Sequence, residues 1–204
     1  MNSDISYRQC GVENVDGLWW VTKDDGAWDG PLGDWQSDKG AFMSHVTEFD
    51  TVIQAGGCCG MYPRFYKNYF KHVYTFEPDP ISFSALLMNC AGNEYHKFNC
   101  GLSNMTTTGE MYRPHTNNIG MNELRLGVGE IPVLTLDSLD IQKCNLLHLD
   151  VEGAEESVIM GARELIEKNN PVVIVERGNG AELLIQMGYT RVHVLPMDHV
   201  FAKI

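Results

Sequence analysis

The sequence predicts an α/β fold in which a mostly parallel sheet is covered by helices on both faces. Three observations carry this expectation. From Thr51 onward, short apolar runs alternate with amphipathic helical segments, the pattern of stacked βα units. The first run, Thr51 to Ala55, breaks at once into the glycine turn Gly56-Gly57-Cys58-Cys59-Gly60, where backbone can approach a ligand closely. At 204 residues and 44% hydrophobic content, the chain suits one domain with a sizeable core.

The elements follow in order. Residues 1 to about 50 form an extension that holds all four tryptophans, Trp19, Trp20, Trp28 and Trp35, among turn-forming Asp-Gly and Gly-Pro pairs. The core, residues 51–204, opens with the strand Thr51 to Ala55; Pro63 then sits in the first turn of a helix, where its missing N–H costs nothing. Val73 to Phe76 and Tyr95 to Cys100 are the second and third strands, with a helix from Ser82 to Ala91 between them. Residues 103–130 are rich in Thr, Asn and Gly with little periodicity, and are expected to be an inserted binding loop. Leu146 to Asp150 is the fourth strand. One helix follows it: Ala154, Val158, Ile159, Ala162, Leu165 and Ile166 share a face, Glu155 and Glu156 favour the positive N-terminus, Lys168 favours the C-terminus and Pro171 ends it. Val172 to Glu176 is the fifth strand. Thr190 to Leu195 and Val200 to Ile204, separated by Pro196-Met197-Asp198, read as a terminal hairpin.

Composition narrows the function. A formal charge of -12 disfavours a sequence-independent grip on nucleic acid, which needs clustered Lys and Arg; Arg64, Lys67 and Lys71 read as a solvated helix face. No stretch is apolar enough to span a bilayer and the start, Met1-Asn2-Ser3-Asp4, lacks signal-peptide features, so a cytoplasmic location is expected. The six cysteines offer no C-x-x-C pair, and no zinc site or disulfide framework is expected.

The glycine turn points to a cofactor. A dinucleotide fingerprint would put Gln54, Gly56 and Cys59 at its three glycine positions, so two of three fail, and no Lys-Ser or Lys-Thr follows to make a P-loop. Glu77, after the second strand, can grip two vicinal hydroxyls. A nucleoside cofactor without a pyrophosphate fits, and S-adenosylmethionine is the commonest of these.

Three blocks, Gln54 to Gly60, Phe76-Glu77-Pro78-Asp79-Pro80 and Leu149-Asp150-Val151-Glu152-Gly153-Ala154-Glu155, occur in order with Leu134-Thr135-Leu136-Asp137-Ser138-Leu139 and Ile174-Val175-Glu176. Together they resemble the FkbM-like family of class I S-adenosylmethionine-dependent methyltransferases over about residues 50–178. The resemblance implies a Rossmann-like fold with a seven-stranded sheet, its last strand antiparallel, and the cofactor across the carboxyl ends of the first strands. It implies cofactor contacts from Gln54, Ala55, Gly56, Gly57, Cys58, Gly60 and Tyr62 along the turn. Glu77 and Pro78 would hold the ribose, Asn99, Cys100 and Gly101 the adenine, and Asp150 and Val151 the sulfonium and amino end. The family usually has Asp where this chain has neutral Gln54, and Ala-Asn in place of Gly57-Cys58. A carboxylate contact to the cofactor's ammonium is therefore expected to weaken or to pass to Asp150.

Methyl transfer from a sulfonium needs alignment and, for a hydroxyl acceptor, a base. Asp150, Glu152 and Glu176 are the catalytic candidates, since all fall at or just beyond strand ends on the ligand side of such a sheet. Trp28, His115 and Asn118 are candidates for binding the acceptor, with Trp28 and Trp35 equally suited to covering a sheet edge. His148 reads as a core histidine, and Cys58 and Cys59 as loop packing, not nucleophiles. A metal site from Asp150 and Glu176 is not expected, because no His-Asp cluster adjoins them. The expected activity is O-methylation of a small-molecule or sugar-like hydroxyl. A nucleic-acid methyltransferase and a non-catalytic cofactor-binding module are the alternatives.

Overall fold

A computed structural model describes residues 11–15, 17–21, 40, 42–114 and 118–204. The expected apolar runs pair there into one sheet. Its strands are β3 (Thr51–Ala55), β4 (His72–Phe76), β5 (Tyr95–Phe98), β10 (Leu146–Leu149), β11 (Val172–Glu176), β12 (Thr190–Val194) and β13 (Asp198–Ala202), in the spatial order β12-β13-β11-β10-β3-β4-β5. Pairing is parallel from β11 through β5, while β13 runs antiparallel to both of its neighbours. Every residue of β3, β10 and β11 is buried, which is why these runs carry apolar residues without alternation.

Helices α1 (Met61–Tyr66), α2 (Pro80–Asn89), α3 (Glu155–Met160), α4 (Arg163–Asn169) and α5 (Ala181–Gln186) cover the sheet. One core layer gathers Phe76, Leu147, Leu149, Val158, Ile159, Leu165 and Leu184; the other gathers Phe42, Phe65, Tyr66, Val52, Leu146 and Ile174. The single helix expected after Asp150 is two. Gly161 interrupts it, because a side chain there would collide with the Ser103 carbonyl. Asp137 then starts α4 by accepting from the backbone N–H groups of Glu164 (3.0 Å) and Leu165 (2.9 Å).

Two further expectations are corrected, and the extension gains a described element. The third strand ends at Phe98, two residues early, and Asn99 and Cys100 lie in the turn that follows. Residues 103–130 are not an irregular loop: β6 (Gly101–Leu102), β7 (Thr107–Tyr112), β8 (Glu123–Leu126) and β9 (Ile131–Leu134) make a second sheet of order β6-β9-β7-β8. In β7, Thr-Thr-Gly-Glu-Met-Tyr, polar residues and a glycine fill most positions, and the alternation of β8, Glu-Leu-Arg-Leu, spans only four residues, so periodicity gives little signal. The extension also contains a hairpin, β1 (Val12–Val15) and β2 (Leu18–Val21). Trp20 and Val21 pack with Ala85 of α2 and with Cys59 and Met61. Asn89, ending α2, bonds both the N–H (2.9 Å) and the carbonyl (2.7 Å) of Trp19. No described helix is long and apolar enough to cross a membrane.

Candidate active site

Parallel pairing brings the ends of β3, β4, β10 and β11 to one edge of the sheet, where such folds place ligands. A cavity of about 500 Å³ opens there. Its lining includes Ala55, Gly56, Cys58 and Tyr62 from the glycine turn and α1, Glu77 and Pro78 after β4, and Cys100 and Gly101 after β5. Asp150, Val151, Glu152 and Glu176 line the far end.

The glycine turn is set by its protein neighbours. Gly56 has φ 84°, and a side chain on it would strike the Asp150 carbonyl. Gly57 has room for no side chain between Leu86 and Thr75. The N–H groups of Gly56 (3.0 Å) and Gly57 (2.9 Å) both donate to the Phe76 carbonyl, which folds the turn over β4. Gln54 is fully buried and turned away from the cavity. Its amide donates to the carbonyls of Ala55 (3.1 Å) and Gly56 (2.8 Å) and accepts from Thr75 Oγ1 (3.0 Å). It braces the turn, and a carboxylate there would face two carbonyl oxygens. Gly57, Gly60 and Asn99 also lie outside the lining. Asn99 instead donates to the Glu77 carbonyl (2.8 Å) and orients the strand end.

Glu77 is 6% exposed. Its Oε2 accepts from the N–H of Cys58 and its Oε1 from the N–H of Asp79, both at 2.7 Å. Burial pushes its carboxyl up to about 8, while these two N–H groups pull it back. The Cys59 thiol and burial hold the Cys58 thiol well above its usual range, which fits packing and not nucleophilic chemistry.

At the opposite end, Asp150, Glu152 and Glu176 each bring a carboxylate oxygen within 4.8 Å of the others. Register explains this. Leu149 pairs with Val175, so the residues after them, Asp150 and Glu176, emerge side by side, and Glu176 pairs with Asp198 of β13. Burial raises the Asp150 carboxyl well above the ordinary range, and Glu176, Asp198 and Glu152 push it further. Glu152 rises to about 7 through burial and then the Glu176 charge, and burial raises Glu176. The turn carrying Asp150 and Glu152 is held by fully buried Glu155. Its Oε1 accepts from the N–H groups of Val151 (3.1 Å) and Gly153 (3.3 Å), and its Oε2 from Asn179 (3.1 Å).

Met111 and Leu124 of the second sheet, with Ile119 and Met121 of the 3₁₀ turn between β7 and β8, roof the cavity. Asp79 ties this roof down: it caps α2 through Ile81 N (3.0 Å) and accepts from Arg113 Nη2 (3.1 Å) and Asn122 Nδ2 (3.3 Å). Asn118 lines the cavity and caps a 3₁₀ turn through Gly120 N (3.0 Å). Trp28, Trp35 and His115 lie outside the described residues. His148 is a fully buried core histidine, bonded through Nδ1 to Tyr66 Oη (3.1 Å) and edge-on to Tyr62, and burial lowers it to about 3.

Sequence reasoning missed Asp79, Glu155, Arg177 and Asp198 as parts of this site. Asp79 had a local signal, since Asp-Pro before an apolar helix marks a cap. Arg177 directly follows the candidate Glu176, whereas Asp198 had no signal, because only the β11–β13 pairing brings it to the cluster.

The family model described as the methyltransferase FkbM domain matches residues 58–188, well over half of the chain. No curated protein matches the chain in sequence. Among solved structures, methyltransferase FkbM from Methylobacillus flagellatus KT superposes with a TM-score of 0.53 at 18% identity, covering 79% of this chain. This chain spans under half, 46%, of that protein's length. A ribosomal protein L11 methylase from Lactobacillus delbrueckii subsp. bulgaricus gives a TM-score of 0.52 at 11% identity, covering 95% of this chain and 98% of its own. Both are likenesses of fold.

Proposed function

The chain belongs to the FkbM family of S-adenosylmethionine-dependent methyltransferases, and we propose that it methylates a hydroxyl oxygen of a small-molecule or sugar-like acceptor. The observation that carries this reading is one cavity with a backbone-anchored glutamate, Glu77, at one end and three converging carboxylates at the other. The volume of about 500 Å³ suits a small ligand.

The residues present fit the cofactor. Glu77 has lone pairs beyond those taken by Cys58 and Asp79, and would accept from the ribose hydroxyls. Cys100, Gly101 and Pro78 would lie against the adenine, and Asp150 and Val151 would face the methionine end. Bound there, S-adenosylmethionine supplies an electrophilic methyl group and a good leaving group. Asp150, Glu152 and Glu176 then have two tasks: to orient the acceptor hydroxyl and to take its proton as the new O–C bond forms. Met111, Met121 and Leu124 give the acceptor an apolar wall.

The acidic mouth and the net charge of -12 favour an uncharged acceptor over a polyanion. The test is calorimetry with S-adenosylhomocysteine followed by transfer of a labelled methyl group across a panel of sugars and small alcohols. Binding with label on a hydroxyl is expected. Label recovered in RNA or DNA would overturn the choice of acceptor, and tight binding with no transfer to any acceptor would overturn catalysis.

A further inference from the structure

We propose that Asp150, Glu152 and Glu176 form a site for one hard divalent cation, Mg²⁺ or Mn²⁺, at the acceptor end of the cavity. The first observation is geometric. Their three carboxylate oxygens lie within 4.8 Å of one another, and oxygens on opposite sides of an ion with bonds of roughly 2.0–2.6 Å stand about 4–5 Å apart. The second is an unmet acceptor. Glu176 has a side chain only 9% exposed and lines the cavity, and its Oε2 is buried with no hydrogen-bond partner. Buried carboxylate oxygens are almost always paired, and one left open costs free energy that a ligand would recover.

Charge selects the ligand. The described ion pairs bring one cation to the cluster, Arg177, whose Nε meets Glu176 Oε1 at 3.3 Å and leaves Oε2 open. The acids of the cluster, with Asp198 beside them, outnumber this one guanidinium, an excess of negative charge that a divalent ion would offset. An all-oxygen donor set without His or Cys selects Mg²⁺ or Mn²⁺ over zinc or copper. Such an ion would leave coordination positions for acceptor oxygens and would lower the pKa of a bound hydroxyl. That catalytic role rests on the methyltransferase reading; binding of the ion does not.

The test uses Mn²⁺ alone, followed by electron paramagnetic resonance and calorimetry on the whole chain. One equivalent is expected to bind, with affinity at least tenfold weaker in Glu176→Gln and unchanged in Glu167→Gln, which alters an exposed carboxylate of α4. Should Glu176→Gln fail to fold, Glu152→Gln, half-buried at the mouth, gives the same readout. No binding at millimolar Mn²⁺, or binding indifferent to both cluster variants, overturns the site. Mn²⁺ binding that needs Glu176 supports it even where no acceptor is methylated, so this proposal and the methyltransferase reading fail separately.

Discussion

Glu77, just after β4, and Glu176, the last residue of β11, lie at one edge of the sheet, both are more than nine-tenths buried and both line one cavity, yet their carboxylates are treated oppositely. Each oxygen of Glu77 is met by a backbone N–H at 2.7 Å. Glu176 shares one oxygen with an exposed arginine, leaves the other unmet and lies within 4.8 Å of two more carboxylates. The first arrangement stabilises the protein and fixes a recognition group in place. The second concentrates like charge at a cost in stability, which is tolerable only where function uses it.

The comparison can be broken most decisively at the crowded end. Asp150→Asn is expected to lower labelled methyl transfer by about 10²-fold or more, with thermal stability unchanged or higher because one repelling charge is gone. A loss of stability matching the loss of activity would make the cluster structural. At the anchored end, Glu77→Ala should weaken S-adenosylhomocysteine by about 100-fold, the loss of two charge-assisted hydrogen bonds. It should also destabilise the fold by about 2–4 kcal/mol, since two N–H groups lose their acceptor. Calorimetry and urea unfolding check the two parts separately.

The pH dependence of the anchored end is smaller. Burial raises the Glu77 carboxyl from 4.5 to about 8, so its contribution to the stability of the unliganded protein is fully present below about 4.5 and lost as pH rises through 8. Ribose hydroxyls donate to the ionised form, so affinity should improve by up to about tenfold per unit as pH climbs from 6 toward 8. Titrations with S-adenosylhomocysteine should show this slope, and Glu77→Gln should flatten it. The smallest effect returns to Glu176. In chelator, Glu176→Gln should raise Tm by about 2–4 °C, as relief of roughly 1 kcal/mol would do in a chain of this size. A fall in Tm by scanning calorimetry would erase the contrast between the two glutamates.

The strands, the glycine turn, Glu77 and the Asp150 block were legible in the sequence because each announces itself locally. Apolar runs, glycines and a carboxylate at a strand end need only their own neighbours to be read. Some local signals misled in detail. Gly56 lines the cavity but Gly57 does not, and the side chains that both exclude would strike Asp150, Leu86 and Thr75. Gln54 read as a weakened cofactor contact, but its amide holds the turn's own carbonyls.

What the sequence determined by itself is the α/β core and the strand-end positions of Glu77, Asp150 and Glu176, with the motif resemblance adding the cofactor class, since periodicity and motif spacing are properties of contiguous residues. Tertiary structure alone decided that Asp150, Glu152 and Glu176 converge with Asp198 nearby, and that residues 103–130 form a roof pinned by Asp79. Those facts follow from register between strands far apart in the chain. A pairing that forms only when β10, β11 and β13 lie side by side leaves no trace in the local pattern of any one of them.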